Sequence, residues 1–143
     1  MKTIHDNELL EKLKTEIEEN TIIIHENIED IISEIEANYT MGFNGIDWDK
    51  KKPLFFIDFN SEAKLLEKID NEFVEIINIF PELLNEKLVF IGDNLTELGY
   101  EVSLKDFIRL KNFFLSIPQH IYLWFPNIKK CINITFENEL IFG

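Results

Sequence analysis

Leu9, Leu10, Leu13 and Ile17 recur with a period near 3.6, and Glu8, Glu11, Glu16, Glu18 and Glu19 fall mainly on the opposite side. That spacing predicts an amphipathic helix over residues 6–20, broken at Asn20-Thr21. Ile24, Ile28, Ile31, Ile32, Ile35 and Tyr39 repeat the pattern and predict a second helix. Its leading run, Ile22-Ile23-Ile24, reads equally well as a short strand, because β-branched residues fit both. Periodicity then stops. Residues 40–53, punctuated by Gly42, Asn44, Gly45 and Pro53, read as a loop.

The apolar run at residues 54–59 predicts a buried strand ending at Asn60. Ser61 is suited to cap the helix that follows, whose face is Leu65, Leu66, Ile69, Phe73, Ile76, Ile77 and Phe80, with Pro81 as its stop. Residues 87–91 predict another strand. Ser103 with Asp106 resembles a capping box opening a helix that carries Phe107, Leu110 and Phe114 and ends before Pro118. Residues 121–125, 130–136 and 140–142 read as an antiparallel meander. Helices and strands alternate only in part, which predicts a single α+β domain, residues 1–143: a mixed sheet of about five strands, packed by about four helices. Phe56, Phe73, Ile76, Phe90, Phe107, Leu110 and Ile134 are the expected core.

Composition changes this picture in two ways. The 23 Ile make isoleucine a weaker structural marker than usual. Charge matters more: 27 acidic residues stand against 14 basic ones, a net of −13, which argues against nucleic-acid binding through a basic face. Residues 1–40 carry a net of −8, residues 41–100 a net of −6 and residues 101–143 a net of +1. A field of that sign attracts basic partners and accelerates their encounter. No secretory or organellar leader pattern is seen, and the apolar runs are far shorter than the roughly 20 residues of a spanning helix. The expected location is the cytoplasm, where a single Cys131 stays reduced.

Candidate chemistry is sparse. The five glycines form no phosphate-binding loop, and His5, His25, His120 and Cys131 show no metal-ligand spacing, so no cofactor and no metal are expected. Cys131 reads as packing material in a strand. Asp58 reads either as a solvent-facing carboxylate or as a buried acid with a raised pKa, with no catalytic partner in view. Catalysis is therefore not expected. Asp47-Trp48-Asp49 has two open readings: a projecting aromatic contact flanked by charge, or a tryptophan tucked under its loop between turn-forming aspartates. On the first reading Asp47, Trp48 and Asp49, with the outward acids Glu26, Glu29 and Asp30 of the second helix, form a partner-binding surface.

The C-terminal stretch Ser116-Ile117-Pro118-Gln119-His120-Ile121-Tyr122-Leu123-Trp124-Phe125-Pro126, followed by Cys131, Thr135-Phe136-Glu137 and the closing Phe142-Gly143, resembles the ending of small bacterial immunity proteins. These include the immunity proteins paired with contact-dependent growth inhibition toxins. The resemblance covers the last 28 residues. It implies a cytosolic antidote that binds one cognate toxin domain, often a nuclease, and blocks its active site; it carries over no site residues. The partner implied is a basic protein, with neither nucleic acid nor membrane involved. Against this stand a small enzyme or ligand-binding domain with an unfamiliar site, and a structural or regulatory interaction protein.

Overall fold

The structure is a computed structural model that describes residues 2–42 and 45–143. Phe43 and Asn44 of the predicted loop lie outside the described residues. The chain runs α1 (Ile4–Lys12), α2 (Lys14–Glu18), β1 (Ile23–His25), α3 (Glu29–Asn38), β2 (Met41–Gly42), β3 (Gly45–Ile46), β4 (Phe55–Asp58) and α4 (Glu62–Ile79). A 3₁₀ turn (Pro81–Asn85) leads to β5 (Lys87–Gly92), β6 (Gly99–Ser103), α5 (Leu104–Leu115), β7 (Ile121–Phe125), β8 (Lys130–Ile134) and β9 (Glu139–Phe142).

Local chemistry sets the element ends. Thr3 and Asp6 form a reciprocal capping box at the start of α1. The predicted first helix divides at Leu13, whose backbone leaves helical geometry, and ends where Asn20 takes a left-handed φ of 60°. The ambiguous isoleucine run is a strand, and the second helix starts later than its periodicity implied, at Glu29. Ser61 caps α4 by accepting the N–H of Lys64, and Pro81 opens the turn that ends it. Ser103 closes β6 and caps α5 at once, so strand passes into helix without a loop.

The fold is α+β. Seven strands form one sheet in the order β1-β6-β5-β7-β8-β9-β4, and every pairing in it is antiparallel. A two-stranded ribbon, β2–β3, stands apart from it. The count exceeds the expected five chiefly through β1 and β6. In β6 only five residues alternate, with Tyr100 and Val102 buried, too short a stretch to stand out beside the Ser103 helix signal.

Both faces of the sheet are used. Leu88, Phe90, Tyr100, Val102, Leu123, Ile132, Leu140 and Phe142 meet α1, α4 and α5 in the main core. On the other face Val89, Ile91, Tyr122, Trp124 and Cys131 meet α3 and the 45–53 loop through Ile35, Tyr39, Ile46 and Trp48. Six of the seven expected core residues are buried, but Phe56 is not: it is 53% exposed. The run at residues 54–59 is apolar but for Asp58. β4 is nonetheless the last strand of the sheet, so Phe55 and Ile57 turn to the main core while Phe56 lies on the second face, beyond the cover of α3. Among the described residues no helix is long and apolar enough to cross a membrane.

Candidate functional site

The 45–53 loop is shaped by its own hydrogen bonds and held against the second face by Trp48 and Lys51. The Asp47 N–H donates to the Thr40 carbonyl at 2.8 Å. The Asp47 carboxylate accepts the Asp49 N–H at 3.0 Å, an Asx turn that fixes the backbone around Trp48. The Trp48 indole N–H donates to Asn133 Oδ1 at 3.2 Å, and its ring meets Tyr39 edge-on with centroids 5.5 Å apart. Lys51 places its ammonium 4.2 Å from the centre of the Tyr39 ring. Burial, and then the neighbouring Lys130, lower the Lys51 pKa. Trp48 is thus half-buried as part of the second cluster, with its polar edge satisfied.

Between this loop and the β4–β9 edge lies a cleft of about 550 Å³, lined by Asp47, Trp48, Asp49, Pro53, Phe56, Glu139 and Ile141, with Gly42, Gly45 and Ile46 behind. Its wall is apolar and aromatic and its rim is anionic. Glu139 is steadied by Thr135, whose hydroxyl donates to its carboxylate at 3.2 Å. Asp58 is the cross-strand neighbour of Glu139, so two carboxylates share one register position on the same face. Like charges so placed repel. Among the described residues, the ion pairs of Lys87, Arg109 and Lys111 go to Glu101, Glu16, Asp106 and Asp70, not to this rim. The exposed Lys50 and Lys52 flank the loop.

The other anticipated acids sit elsewhere. Glu29 and Asp30 occupy the first turn of α3, and Glu26 precedes it; all three are exposed. Asp47 and Asp49 lie beyond the opposite end of that ten-residue helix. At 1.5 Å per residue the two groups are about 15 Å apart along it. The structure therefore gathers Asp47, Trp48 and Asp49 into one cleft and leaves Glu26, Glu29 and Asp30 as a separate patch.

Sequence reasoning missed Phe56 and Glu139 as cleft residues. Phe56 is among the expected core residues, and Glu139 falls in the gap between the strands expected at 130–136 and 140–142. The one available signal was the terminal position of β4, which strand pairing alone reveals.

Cys131 and Asp58 occupy opposite environments. Cys131 is fully buried, and burial pushes its thiol pKa upward, away from the reactive thiolate. Asp58 is exposed and accepts the Asn60 N–H at 2.8 Å. His25 lies 3.0 Å from Glu101, and His120 Nδ1 accepts the Phe136 N–H at 3.3 Å. A second, smaller cleft of about 410 Å³ lies on the other side of the β2–β3 ribbon, where Glu36, Asp93 and His120 rim Ile32, Met41 and Tyr122. Burial, and then Asp93, push the Tyr122 hydroxyl up to about 12. No protein family, no curated protein and no solved structure matches this chain.

Proposed function

We propose that this protein is an immunity protein: it binds a cognate antibacterial toxin domain, a nuclease, and neutralises it by covering the active site in the cytoplasm. The observation that carries this reading is the acid-rimmed, aromatic-walled cleft beside the 45–53 loop. A nuclease active site is electropositive because it must hold phosphate. Carboxylates on a fixed scaffold can occupy such a site in place of phosphates: the Asp47 carboxylate is held by the Asx turn and that of Glu139 by Thr135, while the same turn fixes the backbone from which Asp49 projects. Trp48 acts as a wall, while Phe56 supplies exposed aromatic area for burial. The net charge of −13 adds long-range steering toward a basic partner.

The test expresses the domains encoded by the genes flanking this one and titrates each with the protein as a candidate toxin. The expected result is a complex with Kd below micromolar and loss of nuclease activity at equal stoichiometry. Asp47→Asn/Asp49→Asn is expected to weaken the complex by at least tenfold, in line with truncation of desolvated interfacial charge. Absence of binding below micromolar overturns the reading; an unchanged affinity in the double variant removes this cleft from the interface.

A further inference from the structure

β4 is a sheet edge with an unused hydrogen-bonding side. It pairs with β9 through Phe55↔Phe142, Phe56↔Ile141, Ile57↔Leu140 and Asp58↔Glu139. The Phe59 N–H donates to the Asn138 carbonyl at 3.0 Å, continuing the same register. In an antiparallel ladder alternate residues turn their N–H and C=O toward the partner. Phe59, Ile57 and Phe55 therefore face β9, and the backbone groups of Phe56 and Asp58 point to the open side. Among the described residues no further strand lies beyond β4 in the sheet.

Exposed edges are normally protected by charge, proline or shortness. Here Pro53 and Lys52 guard the entrance, yet Leu54 and Phe56 stand 50% and 53% exposed along the edge. The side chains of Phe56 and Asp58 project to the face that holds the acid-rimmed cleft, so backbone edge, aromatic ring and carboxylates meet in one place.

We infer that β4 is a docking edge on which an extended, basic segment of the toxin domain adds as an eighth strand. This deepens the proposed function and rests on it. Main-chain hydrogen bonds to Phe56 and Asp58 give the segment its register. Alternate side chains of an added strand point to one face. On that face its Lys or Arg residues reach the rim formed by Asp47, Asp49, Asp58 and Glu139. Charge decides the occupant. A second copy pairing through β4 would bring two such rims together, each on a molecule of net charge −13. A cationic strand instead relieves the repulsion between Asp58 and Glu139.

Residue-resolved amide hydrogen exchange on the full-length protein, free and bound to the adjacent-gene toxin domain, tests this. The expected result is at least tenfold slower exchange of the Phe56 and Asp58 amides in the complex. Phe56→Lys, at an exposed position, is expected to keep the thermal midpoint within a few degrees and to weaken binding at least tenfold. Tight binding with these two amides unprotected and Phe56→Lys neutral overturns the docking edge and leaves the proposed function standing. No binding at all overturns both. Protection of the same amides that grows with the protein's own concentration, without toxin, would instead make the edge a self-association surface and overturn the basic partner.

Discussion

Asp6 shows how much one carboxylate can organise. It is fully buried, and it accepts bonds from the Tyr100 hydroxyl at 2.7 Å, the Glu97 N–H at 2.8 Å, and the Thr3 N–H and hydroxyl at 3.0 Å each. These bonds tie α1 to the segment between β5 and β6. Burial acts to raise its pKa, but the bonds from Thr3, Glu97 and Tyr100 together hold it below the ordinary carboxylate value. In Asp6→Asn, either orientation of the amide turns an NH₂ toward a cluster of donors. The expected cost is about 2–4 kcal/mol, read as a lower urea midpoint at unchanged slope. Glu8→Ala, an exposed acid on the same helix, should stay within about 0.5 kcal/mol. The sign with pH follows from the depressed folded-state pKa. The contribution of Asp6 is complete above the unfolded value, about 3.9, and is lost as pH falls through the lower folded value. The gap between wild type and Asp6→Asn should therefore be constant near neutrality and close in strong acid; a gap that widens with acid would contradict this.

At the scale of elements, the passage from β6 to α5 carries the clearest prediction. The Ser103 hydroxyl accepts the Asp106 N–H at 3.1 Å and donates to the Asp106 carboxylate at 3.1 Å. Because no loop separates strand from helix, loss of this cap frays the start of α5 against the sheet. Ser103→Ala should cost about 1 kcal/mol in chemical denaturation, and Ser103→Thr, which keeps both the acceptor for the Asp106 N–H and the donor to its carboxylate, should recover most of it. This cap was legible in the sequence, as were α4, β5 and the three-stranded meander, because a cap, a proline or a period is a local signal. β6 was not, since Gly99-Tyr100-Glu101-Val102-Ser103 gains its identity only from pairing with β1 and β5. The exposure of Phe56 was hidden for the same reason: in an apolar run, the covered face is decided by which strand lies at the edge. Of the site, Asp47, Trp48 and Asp49 were legible as chemistry on a loop. Their grouping with Phe56 and Glu139 was not, because Glu139 is more than 80 residues away and is brought in by tertiary contacts, the β4–β9 pairing and the Trp48–Asn133 bond.

For the molecule as a whole, one variable separates two consequences of the same charge. A net of −13 on 143 residues repels itself in the folded state and attracts a basic partner at a distance. Added salt screens both, as the Debye length falls from about 30 Å at 0.01 M to about 8 Å at 0.15 M. Among the described residues, the Lys and Arg ion pairs that screening would weaken border solvent: Arg109 with Glu16 and Asp106, Lys111 with Asp70, Lys87 with Glu101. Such pairs are worth about 0–1 kcal/mol each, so their loss does not offset relief of the general repulsion. The urea midpoint of the free protein should therefore rise between 0.01 and 0.15 M sodium chloride. Over the same interval the association rate with the toxin partner proposed above should fall by about tenfold or more, with dissociation changing much less, because distant charges steer encounter while contacts already dehydrated in the complex are poorly screened. Stopped-flow association and equilibrium denaturation on the same preparation read both responses. If stability drops with salt, the local pairs outweigh the global field; if the association rate ignores salt, partner capture proceeds without electrostatic steering.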